Sequence, residues 1–368
     1  VTAFAEKRGI PVVETVAGKS TLLANHPNFG GPIGVTGSDA ANALAVQSDV
    51  VVAIGTRLQD FTTGSWSVFA NPDVRFVSIN TASWDAHKRA ALVVVGDAKV
   101  TVALLDEALG EITYASEWLA TSQEGMKRWN ETLDAWMDRT DLEPPSYGQV
   151  IRVVNEICEP DTYVVSSAGG LPGELNMGWR TLETDTFDCE YGYSTMGYEI
   201  AGGWGAKMAH PDSDVVVWVG DGSYLMANSD VYSSVFSGHK LIIMLLDNGG
   251  FGVINRLQVD QGGEEWNNLF RDSRHEKMFR VDFVKHLESM GATAERVRTL
   301  DELPDAYRRA QEADQTYAIV MDVHEYEWTE GGAWWEVGVP EVSERAEVRK
   351  ARSELEDAKR DKQRPGGR

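Results

Sequence analysis

Cysteine is scarce in this chain, with only Cys158 and Cys189 among 368 residues. A small secreted fold held by disulfides needs more, so two thiols indicate a reducing compartment such as the cytoplasm, although one bridge between them stays open. Long apolar runs are missing too: none approaches the roughly 20 residues that span a bilayer, and the first residues lack a signal-peptide pattern. The sequence therefore predicts a cytoplasmic protein that does not insert into membranes.

Positive charge is also in short supply, since 34 Lys and Arg face 57 Asp and Glu, for a formal net charge of −23. Such a surface repels phosphate backbones and anionic lipids, which argues against nucleic-acid and membrane partners. An anionic cofactor is not excluded, because metal ions and helix N-termini act locally. The length allows two or three domains, each with an ample core.

The most informative stretch runs from Asp214 to Gly252. Two short aliphatic runs, Val215 to Val219 and Leu241 to Leu246, are each followed at once by turn residues, GDGS after the first and DNGG after the second. This pattern predicts two buried parallel strands with a helical segment between them. Both turns then lie at the carboxyl ends of neighbouring strands, where an open α/β sheet binds its ligands.

The spacing of Asp221 and Asn248, 248 − 221 = 27 residues, suits a turn, a helix of three to four turns and a return strand. Each residue can then direct one side-chain oxygen to a common point. Together with the Gly250 carbonyl they form a ligand set suited to Mg²⁺, which completes its shell with phosphate oxygens and water. Ser223 opens the helix, where free N–H groups form an anion site. The alternative is a plain nucleotide-type βαβ unit in which the Asp is accidental.

GDG followed 27 residues later by Asn-Gly-Gly resembles the diphosphate motif of thiamine-diphosphate enzymes. Further segments resemble one branch of that superfamily, the trihydroxycyclohexane-dione hydrolases of inositol catabolism; they include SSAGGLPGEL, EYGYSTMGYEIAGG, LLDNGGFGVINRLQ and HPNFGGPIGVTGSDAANALA. These segments cover most of the chain up to its Trp-rich tail. The resemblance implies thiamine diphosphate and Mg²⁺ as cofactors. It also implies a small polyhydroxylated cyclic diketone as substrate, opened by C–C hydrolysis to 5-deoxyglucuronate.

The resemblance also implies which residues hold the cofactor. Ser194 stands where these enzymes offer a backbone carbonyl to the pyrimidine amino group, and Met196 stands where they place an apolar wedge under the bent cofactor. From the residues alone, an apolar residue such as Met196 at a helix start is more often part of the core than a cofactor contact. The predicted metal ligands are Asp221, Asn248 and Gly250. The predicted cofactor-binding residues are Ser166, Gly169, Gly170, Ser194, Met196, Gly222, Ser223, Tyr224, Asn248, Gly250 and Phe251.

Strands alternating with helices predict an α/β fold of two doubly wound parallel-sheet domains. The expected divisions are a middle domain at 1–112 that lacks its first strand, a helical linker at 113–145, a diphosphate- and Mg²⁺-binding domain at 146–327, and a Trp-rich lid with a charged helix at 328–368. The Trp-rich segment has too many aromatics for a free tail, and we expect it to act as a lid or to pack on a partner.

Thiamine-diphosphate enzymes activate the pyrimidine ring with a glutamate from an N-terminal domain, usually that of a partner subunit. That domain is not recognised before Val1, so no catalytic residue is identified in this chain. We expect the missing domain on another polypeptide or in a longer form of the protein. We also expect a homo-oligomer of at least two subunits, and little turnover by this chain alone.

Two other functions stay open. One is an acetolactate-synthase-like carboligase or decarboxylase, which would share the metal pair. The other is a non-catalytic cofactor-binding subunit. The long segment from Phe251 to Arg280 is equally open: its polar residues either bind the polyhydroxylated ring or belong to a solvated surface insertion. These polar residues are Asn255, Arg256, Gln258 and Gln261.

Overall fold

The fold is given by a computed structural model, which describes residues 1–114 and 116–364. The chain divides into two compact units: unit 1 consists of residues 1–133 and 330–368, and unit 2 of residues 134–329. Residue 115, at the start of the predicted linker helix, and residues 365–368 of the predicted tail lie outside the described residues.

Unit 1 contains two small parallel sheets. In the first, β1 (Val12–Glu14) pairs with β2 (Phe29–Pro32), and in the second β4 lies between β3 and β5. The strands of the second sheet are β3 (Val50–Ile54), β4 (Arg75–Asn80) and β5 (Leu92–Val95). The helices are α1 (Thr2–Arg8), α2 (Asp39–Gln47), α3 (Asp60–Thr63), α4 (Ser83–Ala86), α5 (Ala98–Leu109), the greater part of α6 (Ser116–Met137), and α15 (Ala346–Lys362).

Strand β2 was not predicted, because its sequence Phe-Gly-Gly-Pro has low strand propensity. It forms by pairing with β1, and the pairing brings the backbones close: a Cβ on Gly30 would lie 3.1 Å from the Val12 carbonyl oxygen. Helix α2 is capped by Ser38, whose hydroxyl accepts the Ala41 N–H at 3.0 Å. The Gly-rich stretch between them is thus structural.

The Trp-rich segment packs within unit 1 from Glu330 onward. Trp335 donates its indole N–H to Asp60 at 2.7 Å, and its ring meets Phe61 edge-on at 5.4 Å. The Ala333 N–H donates to the Gly34 carbonyl at 3.0 Å. The charged stretch that follows forms α15, which ends at Lys362.

Unit 2 is built on one six-stranded sheet in the order β10-β11-β9-β8-β6-β7, and each neighbouring pair is parallel. Its strands are β6 (Tyr163–Ser166), β7 (Phe187–Cys189), β8 (Val215–Gly220), β9 (Ile242–Asp247), β10 (Thr293–Val297) and β11 (Tyr317–Asp322). Its helices are α7 (Tyr147–Ile157), α8 (Leu171–Gly178), α9 (Tyr198–Ala209), α10 (Asp221–Met226), α11 (Asp230–Ser237), α12 (Gly252–Asp260), α13 (Phe283–Ser289) and α14 (Leu303–Glu312).

The two predicted core strands are the centre of this sheet. No side chain from Val215 to Val219 or from Leu241 to Leu246 is more than 1% exposed, as expected for parallel strands covered on both faces. The chain leaves β6 for β7 on one side and returns as β8 on the other. The carboxyl ends of β6 and β8 therefore flank the topological switch point, where a ligand crevice forms.

Three details of unit 2 differ from the predictions. The single helix expected between β8 and β9 is two shorter helices, α10 and α11. Strand β7 was missed because it has only three residues at the sheet edge. The long segment after Phe251 contains the helix α12 and a short 3₁₀ turn from Phe270 to Asp272.

Parallel sheets with helices in both units confirm the predicted α/β class. Both cysteines are free thiols, so the possible bridge between them is not formed. Among the described residues, we find no helix that combines the length and the apolar character needed to cross a membrane.

Candidate functional site

The predicted metal ligands come together at the carboxyl ends of β8 and β9. Asp221 follows β8 and Asn248 follows β9, and both are at most 9% exposed. One terminal atom of the Asn248 amide lies 2.8 Å from the Gly250 carbonyl oxygen and 3.2 Å from Asp221 Oδ1. The other terminal atom lies 3.0 Å from the Tyr147 hydroxyl. The sequence did not single out Tyr147.

This arrangement fits a small divalent cation. With its oxygen turned toward Asp221, Asn248 completes a cluster of three oxygens, one each from a carboxylate, an amide and a backbone carbonyl, which is the donor set that Mg²⁺ accepts. Asp221 Oδ2 is buried and has no hydrogen-bond partner among the described residues. A buried, unpaired carboxylate oxygen is costly unless something binds it. The residues present therefore could hold Mg²⁺ at this point.

The electrostatics of the site favour a cation. Burial raises the pKa of Asp221, and the neighbouring Asp247 carboxylate raises it further. Burial also raises the pKa of Asp247. Two adjacent buried carboxylates are difficult to ionise together, and a bound divalent cation would offset that cost.

Glycine is required where the loop after β9 turns back. Gly250 has φ of +139°, and a Cβ there would lie 2.5 Å from the Asn268 carbonyl oxygen. The Phe251 N–H donates to the Asn268 carbonyl oxygen at 2.8 Å, and this hydrogen bond holds the two backbone segments close together. The position of the Gly250 carbonyl, and hence of the third oxygen, is set by this contact.

Ser223 is held by a buried glutamate. Its hydroxyl donates to Glu199 Oε1 at 2.7 Å and accepts the Gly197 N–H at 2.8 Å, while the same N–H lies 2.9 Å from Glu199 Oε2. The hydroxyl is thus occupied on both its donor and acceptor sides. The predicted anion contact at Ser223 is left to its backbone N–H group.

Two other predicted contact residues use their hydroxyls inside unit 2. Ser166 donates to the Trp218 carbonyl at 3.2 Å. The Tyr224 hydroxyl is hydrogen-bonded to His286 at 2.8 Å, and its side chain is fully buried. Both hydroxyls are therefore occupied by partners within unit 2. Only the backbone of Ser166 and Tyr224 remains for a cofactor.

Three loops of unit 2 meet: the loop after β6, the segment 194–197 and the turn after β8. Ser167, on the loop after β6, donates to the Thr195 carbonyl at 2.5 Å. The Gly197 N–H donates to the Ser223 hydroxyl, and this hydrogen bond joins the loop that carries Ser194 and Met196 to the start of α10. Gly169 has φ of +92° and open space around its Cα. Gly170 is covered by the Trp328 ring, which would lie 1.8 Å from a Cβ at that position.

A carboxylate organises the loop that carries Ser194 and Met196. Glu190 accepts the Tyr193 N–H at 3.0 Å through one oxygen and the Thr195 N–H at 2.8 Å through the other. Burial acts to raise the pKa of Glu190, but these backbone N–H groups together outweigh it and hold the pKa below its usual value. Ser194 adopts φ of +53°, so its conformation depends on such support.

We expect the substitution Glu190→Gln to loosen this loop. A glutamine would turn one NH₂ group toward a backbone N–H, so only one of the two hydrogen bonds can form. Amide hydrogen exchange at Tyr193 and Thr195 should quicken by about 10-fold, the effect of losing roughly 1.4 kcal/mol of local stability. In the wild type the same loosening should appear as the pH falls through the lowered pKa of Glu190.

The matched control is Glu183→Gln, on the same segment, where one exposed carboxylate oxygen accepts the Thr184 N–H at 3.2 Å. This change should leave exchange at Tyr193 and Thr195 unaltered. Equal exchange in the wild type and the Glu190→Gln variant would show that the carboxylate does not hold the loop.

Phe251 packs against the turn after β8. A Cβ on Gly222 would lie 2.6 Å from the Phe251 ring, so the two predicted cofactor-binding residues contact each other. Glycine at position 222 is therefore needed for the turn to accommodate the ring.

In the segment from Phe251 to Arg280, the side-chain amides of Asn255 and Gln258 form hydrogen bonds with other protein side chains. Asn255 is fully buried and donates to the Tyr326 hydroxyl at 2.7 Å, and Gln258 accepts from Asn268 at 3.1 Å. Arg256 lies 3.7 Å from Asp260. These contacts favour a structural role for Asn255 and Gln258 over the binding of a polyhydroxylated ring.

Sequence reasoning missed Tyr147, Glu190 and Glu199. The two glutamates bracket the quoted EYGYSTMGYE segment, and an acidic residue on each side of a Gly-containing turn is a usable signal. Tyr147 lies about a hundred positions before Asn248 in the sequence. No local pattern joins the two, and only the fold shows that they meet.

Comparison with known families matches both parts of the chain. Residues 1–105 match the thiamine pyrophosphate enzyme central domain, and residues 169–321 match the thiamine pyrophosphate enzyme C-terminal TPP binding domain. Thiamine pyrophosphate is the same compound as thiamine diphosphate. The second match contains Asp221, Asn248 and Gly250.

Curated relatives include several proteins named 3D-(3,5/4)-trihydroxycyclohexane-1,2-dione hydrolase. The one from Geobacillus thermodenitrificans is 38% identical over 95% of this chain and 58% of its own length. The one from Bacillus subtilis is 37% identical over 98% of this chain and 61% of its own length. The one from Halalkalibacterium halodurans is 36% identical over 95% of this chain and 59% of its own length.

The chain thus spans about three fifths of these relatives. The two domain matches and these identities confirm the resemblance seen in the sequence. The chain carries a thiamine pyrophosphate enzyme central domain at residues 1–105 and a thiamine pyrophosphate enzyme C-terminal TPP-binding domain at residues 169–321.

Proposed function

We propose that this chain is part of an enzyme that opens a trihydroxycyclohexane-1,2-dione ring by C–C hydrolysis, using thiamine diphosphate and Mg²⁺, to give 5-deoxyglucuronate in inositol degradation. The observation that carries the proposal is the convergence of Asp221, Asn248 and Gly250 at the carboxyl ends of β8 and β9, beside the switch point of unit 2. The identity to relatives of that name supports the substrate class.

In this proposal Asp221, Asn248 and the Gly250 carbonyl hold Mg²⁺, and the backbone N–H groups at Gly222 and Ser223 face the diphosphate. Thiamine diphosphate, when bound, supplies the electron sink that a C–C bond cleavage needs. The protein supplies orientation: the loop held by Glu190 and Ser167 sets the Ser194 carbonyl and the Met196 side chain against the cofactor.

We further propose that the activating glutamate comes from the portion of the relatives that this chain does not span. A subunit of the same protein is the partner that the family resemblance favours, so the active form is at least a dimer. If no glutamate is supplied in this way, the chain acts as a cofactor-binding subunit.

Product analysis tests the reaction. The full-length protein, loaded with Mg²⁺ and thiamine diphosphate, is expected to convert the cyclic dione to a linear acid while leaving pyruvate unchanged. An acetolactate-type carboligase shares the metal ligands and would instead consume pyruvate. Consumption of pyruvate without consumption of the dione would reject the hydrolase proposal and leave the cofactor assignment standing.

A further inference from the structure

The Tyr147 hydroxyl lies directly behind the proposed cation site. It is 3.0 Å from the terminal atom of Asn248 that faces away from Asp221. Tyr147 is only 3% exposed, and its ring packs against Trp328 at 5.5 Å. The Tyr147 hydroxyl is thus the hydrogen-bonding partner of the Asn248 terminal atom that faces away from Asp221.

Tyr147 is rigidly placed. It is the first residue of α7, after the N-cap Ser146. The Ser146 hydroxyl accepts the Gln149 N–H at 3.3 Å, and the Gln149 side chain in turn accepts the Ser146 N–H at 3.0 Å. Gln149 also donates to the Arg139 carbonyl at 2.6 Å. This capping box fixes the start of the helix, and with it the position of the phenol.

The Asn248 amide is satisfied by protein groups alone in one orientation, and in the other only when a cation is bound. With nitrogen inward it donates to Gly250 O and Asp221 Oδ1, and its oxygen accepts from Tyr147. With oxygen inward it joins the Gly250 and Asp221 oxygens around a cation, and its nitrogen donates to Tyr147. The first orientation suits a cation-free site and the second a loaded one, because three facing oxygens repel one another unless a cation lies between them.

We propose that Tyr147 is a positioning residue that lets Asn248 reverse its amide when the cation binds, because the Tyr147 hydroxyl donates to the amide oxygen in one state and accepts from the amide nitrogen in the other. A hydroxyl group is suited to this exchange since it is both donor and acceptor. The inference rests on the proposed Mg²⁺ site and adds a residue outside its ligands.

The experiment compares Tyr147→Phe with the wild-type chain. Mn²⁺ is titrated at saturating thiamine diphosphate, and free Mn²⁺ is counted from its electron paramagnetic resonance signal. Without the hydroxyl, the loaded state leaves a buried N–H of Asn248 unpaired, which is costlier than the unpaired carbonyl of the cation-free state. We expect the Mn²⁺ dissociation constant to rise at least about 10-fold, as for other residues that orient metal ligands.

Tyr317→Phe is the matched control. Tyr317 is also buried, and its hydroxyl donates to Glu295 at 2.6 Å. Tyr317 begins β11, at the end of the sheet opposite to the cation site, so loss of its hydroxyl should leave the Mn²⁺ affinity within about twofold of wild type. Thermal unfolding without cation measures what each lost hydroxyl costs the fold itself.

A second control uses Asn248→Asp. A carboxylate has oxygen at both ends, so no reversal is needed and Tyr147 donates to it in both states. Tyr147→Phe added to Asn248→Asp should therefore change the Mn²⁺ affinity less than about threefold. An equal loss in both backgrounds would assign the effect to packing and overturn the proposal.

The outcomes separate the two claims. If wild type binds Mn²⁺ and Tyr147→Phe binds it as tightly as Tyr317→Phe, the role of Tyr147 is rejected while the cation site stands. If wild type binds no Mn²⁺ in the presence of thiamine diphosphate, the cation site and the role of Tyr147 are rejected together.

Discussion

Replacing Asp221 by Asn is expected to abolish Mg²⁺-dependent binding of thiamine diphosphate. Asp221 is the carboxylate among the proposed metal ligands. Its buried Oδ2 has no hydrogen-bond partner among the described residues, as expected for an oxygen that binds a cation. We expect affinity to fall at least about 100-fold, beyond the loss seen for residues that only orient a ligand. Titration calorimetry of thiamine diphosphate with and without Mg²⁺ measures the change.

Thermal unfolding separates this loss from damage to the fold. Ligand at 100 times its dissociation constant stabilises a protein by about 2.7 kcal/mol, which raises Tm by roughly 5–10 °C at this domain size. Wild type should show that rise and Asp221→Asn should not. Without ligand, the variant should unfold at or above the wild-type temperature, because a neutral side chain is less costly to bury.

Asp214→Asn is the control for this substitution. Asp214 precedes the same strand at its opposite end and accepts from Gln311 at 3.2 Å. Asp214 and Asp221 lie at opposite ends of β8, so the Asp214→Asn substitution should leave the ligand-induced rise in Tm unchanged. A ligand-induced rise in Tm as large in Asp221→Asn as in wild type would contradict the proposed metal site.

The second large effect concerns the chain on its own. Residues 1–368 are expected to turn over the dione at least about 100-fold more slowly than the full-length Bacillus subtilis relative, because the proposed activating glutamate lies outside the matched region. The loss of one acid–base group commonly has this size. The measurement is product formation at saturating Mg²⁺ and thiamine diphosphate.

Ligand-induced stabilisation of the same sample is the control for this comparison, since it shows whether the chain is folded and binds the cofactor. Turnover by the chain alone at the rate of the relative would contradict the proposal that a further segment activates the cofactor. Slow turnover that rises when the remaining portion of the relative is added as a separate polypeptide would support it.

The elements that were predicted well are those with strong local signals. Strands β8 and β9 are uninterrupted apolar runs that end in turn residues. Their existence follows from side-chain burial. Strands β2, β5 and β7 were missed. Strands β2 and β7 have weak local propensity and form through pairing with a neighbour, whereas β5 is a Leu-Val-Val-Val run whose local signal was usable.

The same contrast holds at the site. The spacing of Asp221 and Asn248 was sufficient to predict that they meet, because two parallel strands in succession bring their carboxyl ends to one edge. The roles of the serine and tyrosine hydroxyls were not predictable. Ser166, Ser223 and Tyr224 each found a partner from a distant part of unit 2.

By itself the sequence determined the α/β class, the two turns at the carboxyl ends of the core strands and the meeting of Asp221, Asn248 and Gly250 there, since all of these follow from periodicity, turn chemistry and spacing over a few tens of residues. Only the tertiary structure decided that Tyr147 stands behind Asn248, that Glu199 binds Ser223 and that Trp328 covers Gly170. Those contacts join residues far apart in the chain. They arise because buried polar groups and ring faces must find partners wherever packing brings them together.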